Sequence, residues 1–88
     1  MSYQIQWALK AAKQTKKIPN PDRERIVASV GELSDWPGCI TNKDIKPLRG
    51  HSHQYRLRVG RYRVLFDVET GLRVVSIEEV RKRDERTY

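Results

Sequence analysis

The sequence predicts an α+β domain in which two N-terminal helices pack on one face of a small, mainly antiparallel sheet. Three observations support this: a short alternating segment opens the chain, two helix-forming segments follow, and the second half is rich in β-forming residues. The predicted order of elements is β-α-α-β-β-β, because the later strands follow one another without a helix between them. A chain of 88 residues provides for one domain, residues 1–88, with one modest core.

The first half of the chain changes from a strand pattern to a helix pattern. Apolar residues and glutamines alternate over residues 3–7, which predicts a strand with one buried face. Helix formers fill residues 8–17, where we expect Leu9 and Ala12 to face inward. A second helix follows a break that contains two prolines, and its inward positions recur at helical spacing: Ile26, Val27, Val30 and Leu33.

The segment QYRLRVGRYRVLFD, residues 54–67, alternates between apolar and mostly basic residues and predicts a β-hairpin. Gly60 and Arg61 fit a two-residue type II′ turn, because the first central position of that turn needs a positive φ. This turn sets the register of the two strands. The apolar pairs that it predicts are Val59 with Tyr62, Leu57 with Val64, and Tyr55 with Phe66.

The opposite face of the hairpin carries arginines. The same register places Arg58 directly opposite Arg63, and Arg56 opposite Leu65. Like charges directly opposite one another in a sheet destabilise it by about 0.2–1 kcal/mol. We therefore expect this face to lie open either to solvent, which would hydrate the arginines, or to a bound polyanion.

The remaining segments are assigned from turn residues and β-formers. Residues 39–53 are predicted to form a polar loop, and residues 72–80 a valine-rich and isoleucine-rich strand that lies centrally in the sheet. Glu78 and Glu79 end this strand, and we expect them to pair with the arginines that follow in the charged tail. This pairing is interpreted as structural.

The net charge of +7 and the pI of about 9.9 favour an anionic partner such as nucleic acid or an acidic protein. No apolar run approaches the roughly 20 residues of a membrane-spanning helix. The single cysteine, Cys39, cannot form an internal disulfide, which favours a reducing cytoplasm. His51 and His53 have no cysteine or carboxylate near them at metal-ligand spacing, so no metal site is predicted.

One family pattern matches these residues. The segment LRGHSHQYRLRVGRYRVLF, the valine-rich strand after it and the ending RKRDERTY resemble the RelE/ParE superfamily of bacterial toxins, over essentially the whole chain. The resemblance implies a RelE-like fold and a cytoplasmic toxin of a type II toxin–antitoxin system. It also implies ribosome-dependent cleavage of mRNA in the A site, which needs no metal or other cofactor. A cognate antitoxin would neutralise the toxin, and operator DNA would be contacted only through the antitoxin complex.

The resemblance also implies site residues, position by position. Arg56 and Arg58 match the basic pair before the turn, Arg63 matches the arginine after it, and Tyr88 matches the terminal tyrosine. Arg83 best matches a late arginine, although Lys82 or Arg81 takes that place under a shift of one or two residues. The implied catalytic residues are Arg63, Arg83, Tyr88 and Lys82. The implied RNA-binding residues are Arg56, Arg58, Arg61, Lys46, Arg49 and His51.

Two other functions fit the same sequence. The hairpin pattern is shared by ParE-like toxins, which inhibit DNA gyrase and need no catalytic tyrosine. A non-catalytic relative that only binds nucleic acid would also carry a basic sheet face, and its affinity would fall steeply with salt. The tail that ends in Tyr88 favours the RelE-like nuclease.

Overall fold

Five strands and two helices make up residues 2–82, the part of the chain that the computed structural model describes. The elements are β1 (Gln4–Trp7), α1 (Leu9–Lys16), α2 (Asp22–Gly31), β2 (Ile45–Pro47), β3 (Tyr55–Val59), β4 (Tyr62–Glu69) and β5 (Val74–Lys82). Two short 3-10 helices, Glu32–Asp35 and Gly38–Thr41, connect α2 to β2. The predicted α+β class, with two helices on one face of the sheet, is confirmed. None of the helices in residues 2–82 is long and apolar enough to cross a bilayer.

The strands form one sheet in the order β1-β5-β4-β3-β2. β1 pairs with β5 in parallel, and the other three pairings are antiparallel. β5 therefore has a neighbour on each side, as predicted. The prediction that residues 39–53 form only a loop is wrong, because Ile45–Pro47 pairs with β3 as a fifth strand. A strand of three residues with a single isoleucine is too short to show an alternation of apolar and polar residues.

The core lies between the helices and one face of the sheet. Phe66, Leu57 and Val64 supply the sheet side and are at most 1% exposed. Trp36 packs edge-on against Phe66 with ring centroids 5.7 Å apart, a preferred arrangement for aromatic pairs. Ile26, which is fully buried, comes from α2. This packing fixes which face of the hairpin points away from the helices.

Two helical predictions need correction. In α1 the buried residues are Ala11 and Thr15, whereas Leu9 is 71% exposed. The Thr15 hydroxyl donates a hydrogen bond to the Ala11 carbonyl. The buried side of α1 therefore carries a small residue, Ala11, and a polar residue whose hydroxyl is hydrogen-bonded, Thr15. In α2 the predicted inward positions hold except for Val27, which is 50% exposed.

The hairpin has the predicted register at every pair, and Gly60 adopts φ +58°. A positive φ at the first turn position, where glycine has no Cβ to clash, is what the type II′ turn requires. Gly60 therefore fixes the pairing of β3 with β4. That pairing sets the arginines of the two strands opposite one another.

A register shift in β5 decides which of its side chains share a face with those arginines. Leu65 pairs with Glu79 and Phe66 with Ile77, so Glu78 is an extra residue on β5. Such a bulge inverts the alternation of the strand beyond it. Val80 consequently faces the core, and Arg81 faces away from the helices.

Candidate functional site

Three arginines from three neighbouring strands lie side by side on the sheet face opposite the helices. Arg58 of β3 pairs with Arg63 of β4, and Arg63 pairs in turn with Arg81 of β5. Adjacent strands are about 4.8 Å apart, so the backbones of the three arginines follow one another at about that spacing. We call Arg58, Arg63 and Arg81 the arginine row.

A carboxylate lies beside each outer arginine of the row. Arg81 Nε donates a hydrogen bond to Glu79 Oε1 over 2.8 Å. On the other side, Arg58 Nε forms an ion pair with Asp44 Oδ2 at 3.5 Å, and the Arg58 backbone N–H donates to the Asp44 carbonyl over 3.0 Å. Because a guanidinium carries five N–H donors, the bond at Nε engages one donor of Arg81, and its terminal nitrogens offer four more to a further acceptor.

Arg56 is placed differently from what the sequence suggested. The prediction that it lies open to solvent or ligand is wrong, because the residue is 8% exposed. Its Nη2 donates to Asp44 Oδ1 over 3.0 Å, so one carboxylate binds both arginines of β3. A buried guanidinium needs such a partner, since an unpaired buried charge is costly. The environment of Arg56 is that of an internal ion pair.

Glu79 joins the arginine row to α1 and to the loop before β3. Its carboxylate lies 3.4 Å from Lys10 Nζ and 3.4 Å from His53 Nε2, besides the bond from Arg81. Burial alone would raise the pKa of Glu79, but the hydrogen bond and charge of Arg81, with the charge of Lys10, outweigh it and lower that pKa. Glu79 is therefore held as a carboxylate.

The loop that precedes β3 is fixed onto this face by His53 and Gln54. His53 Nδ1 lies 3.2 Å from Asp67 Oδ2, and the Gln54 backbone N–H donates to Asp67 Oδ1 over 2.7 Å. The Gln54 side chain accepts from the Val68 N–H over 2.7 Å. Leu65, on the same face of β4 as Arg63, is only 3% exposed.

The surroundings of His53 differ from the sequence-based view that no carboxylate stands near it. Ligand atoms of His53, Asp67 and Glu78 lie within 4.8 Å of one another, a grouping of types that could hold a metal ion. The two ring nitrogens already face Asp67 and Glu79, and the Glu78 carboxylate accepts from Ser76 Oγ at 2.5 Å. These contacts explain why the three residues lie close together: their side chains belong to the hydrogen-bond network that attaches the loop before β3 to the sheet.

The other implied RNA-binding residues lie around the row. Lys46, on β2, is exposed and lies opposite Arg56 of β3. Arg61 is exposed at the hairpin turn. Arg49 and His51 are exposed in the loop, where His51 Nδ1 accepts a hydrogen bond from the His53 backbone over 3.2 Å.

The structure does not bring all implied catalytic residues together. Arg63 lies at the centre of the row, half-buried. Lys82 pairs with Tyr62, a core residue, and borders a cleft with Gln14 and Ile18 on the helix side. It therefore lies on the opposite face from Arg63. Arg83 and Tyr88 lie outside the described residues.

Sequence reasoning did not place Glu79 in the site, and it named Arg81 only as a shifted match for the late arginine. A signal for them exists, because apolar residues at 75, 77 and 80 break the period of two by one position. Read as a bulge, that interruption predicts that Arg81 shares a face with Arg63. Arginines on neighbouring strands of one sheet face are suited to contact phosphate oxygens through charge-assisted hydrogen bonds.

Replacing Asp44 with asparagine should destabilise the protein by about 1–2 kcal/mol, because Arg56 keeps its buried charge and loses its carboxylate. Urea unfolding measures this. The matched control is Arg25→Ala, which removes an exposed ion pair to Asp22 and should change stability by less than about 0.5 kcal/mol. Equal stability of Asp44→Asn and the wild type would contradict the role of Asp44.

The lowered pKa of Glu79 predicts a stability change in acid. A carboxyl whose pKa is lower in the folded state than the ordinary 4.5 stabilises the fold above that pH. The contribution is lost as the pH falls from about 4.5 through the folded pKa. Glu79→Gln removes it, so the unfolding free energy of this variant should fall less steeply below pH 4.5 than that of the wild type. A parallel pH dependence of the two proteins would refute the assignment.

Comparison with known proteins gives relatives of similar length. No protein-family model matches the sequence. RelE1 of Methanocaldococcus jannaschii is 25% identical over 84 residues, which cover 96% of this chain and 93% of that protein.

Two solved structures share the fold over nearly the whole chain. The archaeal RelE–RelB complex from Pyrococcus horikoshii matches with a TM-score of 0.80 and 24% identity, covering 97% of this chain and 99% of the other. The intact RelBE toxin–antitoxin complex of E. coli matches with a TM-score of 0.72 and 27% identity, covering 96% and 100%. The chain therefore shares its α+β fold with these RelE structures and is similar to RelE1 and to E. coli RelE over nearly its whole length.

Proposed function

We propose that this protein is the toxin of a type II toxin–antitoxin pair and that it cleaves mRNA in the ribosomal A site. The observation that carries the proposal is the opposition of Arg58 and Arg63 on the sheet face away from the helices. A pair of like charges in that position weakens the sheet, and a bound phosphate backbone would reverse the cost. The RelE–RelB complexes among its structural relatives support a toxin that acts with an antitoxin partner.

The reaction that suits such a surface is cleavage by the neighbouring 2′-hydroxyl of the RNA. The 2′-oxygen attacks the adjacent phosphorus as a base takes its proton, and the 5′-oxygen leaves with a proton from an acid, giving a 2′,3′-cyclic phosphate. Cations near the phosphate stabilise the charge that builds up on its oxygens in the transition state. This chemistry can proceed without a metal ion, and the proposal includes that independence.

Roles for individual residues follow from their placement and from the family resemblance. Arg63, at the centre of the row, stabilises the transition state, and Arg58 holds the RNA backbone. Arg83 and Tyr88 keep the roles that the resemblance implies, as late cation and proton-transfer group. Lys82 is the weaker candidate for the late cation, because it lies on the helix side of the sheet.

The partner follows from the charge of the same face. An antitoxin with an acidic or amphipathic segment could cover the arginines of the sheet and exclude RNA from them. Complex formation would thereby neutralise the toxin, and contacts with operator DNA would be made mainly by the antitoxin. The proposed setting for this activity is the cytoplasm.

Primer extension on cellular mRNA after induction tests the proposal. Wild-type protein should produce new 5′ ends within translated codons, and Arg63→Ala should reduce their rate of formation by about 100-fold, as loss of one transition-state donor does elsewhere. Tyr88→Phe should also reduce it. Arg25→Ala is the control, because it removes one positive charge from α2 on the opposite side of the sheet and should cleave like the wild type.

Two results would refute the nuclease and favour a different function. Growth arrest with DNA-damage signalling and intact mRNA, unaffected by Arg63→Ala, would favour a ParE-like inhibitor of gyrase. Salt-sensitive RNA binding by the purified protein, with mRNA intact on translating ribosomes, would favour a non-catalytic binding protein.

A further inference from the structure

We propose that Arg81 is a third phosphate-contacting cation of this face and that Glu79 is the residue that positions it. The RNA backbone would then cross β3, β4 and β5 along the arginine row. This inference rests on the proposed function for its cleavage readout. It adds Glu79, and it places Arg81 in the row beside Arg63 in addition to the late arginine, for which the resemblance offered Arg81 only as a shifted match.

The first argument is the register. Arg81 pairs directly with Arg63, so its Cα lies beside that of Arg63 on the strand next to it. The bulge at Glu78 is what places it there, because an unbroken alternation from Ile77 would turn residue 81 toward the core. A side chain directed at this face by a bulge, beside two other arginines, extends the cationic surface across a third strand.

The second argument is the way Arg81 is held. Its Nε is bound by Glu79 Oε1 at 2.8 Å, and the carboxylate is itself fixed by Lys10 and by His53. Glu79 is 8% exposed and on a central strand, so it has little freedom to move. The terminal nitrogens of Arg81 are the part of the guanidinium best suited to bind a phosphate through two parallel hydrogen bonds.

The third argument is symmetry about Arg63. Arg58 on one side forms an ion pair with Asp44, with Nε 3.5 Å from Oδ2, and Arg81 on the other side forms an ion pair with Glu79, with Nε 2.8 Å from Oε1. Each carboxylate offsets part of the repulsion that the outer arginine feels from the central one. The same carboxylates limit the rotamers of the outer arginines, which lowers the ordering cost when a phosphate backbone binds.

The first measurement is the salt dependence of binding to a short single-stranded RNA in which every 2′-hydroxyl is methylated, so that it cannot be cleaved. Each phosphate contact contributes about 0.7 to the slope of log affinity against log salt for single strands. Arg81→Met should therefore reduce the slope by about 0.7. The control Arg25→Met loses the same charge on α2, away from the row, and should keep the wild-type slope.

The second measurement separates charge from position. Arg81→Lys keeps the positive charge but has no Nε for Glu79 to bind, and Glu79→Gln keeps Arg81 but removes the carboxylate. Both variants should retain the wild-type slope or bind RNA somewhat more tightly. Both should lower the rate constant for mRNA cleavage at saturating toxin by about tenfold to a hundredfold, because the guanidinium is no longer held in place.

The outcomes distinguish this inference from the proposed function. A wild-type slope for Arg81→Met overturns the phosphate contact, whether or not the protein is a nuclease. Wild-type cleavage by both Arg81→Lys and Glu79→Gln overturns the positioning role. If the wild-type protein leaves mRNA intact, the proposed function fails, while the slope of Arg81→Met still decides whether Arg81 contacts phosphate.

Discussion

Repulsion between guanidinium groups on adjacent strands is the constraint around which this sheet face is built. Arg58, Arg63 and Arg81 occupy one cross-strand row, where like charges oppose pairing. The fold tolerates the row because carboxylates lie at its two ends, Asp44 beside Arg58 and Glu79 beside Arg81. Each carboxylate lies beside the Nε of its arginine, and the terminal nitrogens of the guanidinium extend beyond it. The arrangement offsets the repulsion without neutralising the surface, which suits a protein that binds a polyanion there.

The same constraint links parts of the chain that are distant in sequence. Gly60 fixes the hairpin register that sets Arg58 against Arg63, and the bulge at Glu78 brings Arg81 into line with them. Asp44 lies immediately before β2, and the loop before β3 is attached through His53 to β4 and β5. The core on the helix side holds the sheet in place beneath these contacts. Binding and stability therefore depend on shared residues, since the carboxylates that hold the outer arginines also pair the buried charge of Arg56 and secure the loop.

The sequence allowed the helices, the hairpin and its register to be predicted, because period-two alternation around a glycine is a local signal. It did not reveal β2, whose three residues are too few to show a period. It also suggested that Arg56 is exposed, because alternation assigns a face but cannot show that a neighbouring strand brings a carboxylate to it. The contacts of Glu79 with Lys10 and His53 join residues 26 or more positions apart, which no spacing rule reveals. The place of Arg81 beside Arg63 was missed for a local reason, the change of alternation between Ile77 and Val80, which the bulge explains.

A double-mutant cycle between Arg58 and Arg63 tests the central claim most directly. The unfolding free energies of wild type, Arg58→Met, Arg63→Met and the double variant are measured by urea titration at low salt, with and without the methylated RNA. The account predicts an unfavourable coupling of a few tenths to about 1 kcal/mol in the free protein, which disappears or changes sign when RNA is bound. A coupling that is zero or favourable in the free protein, and that RNA does not change, would contradict it.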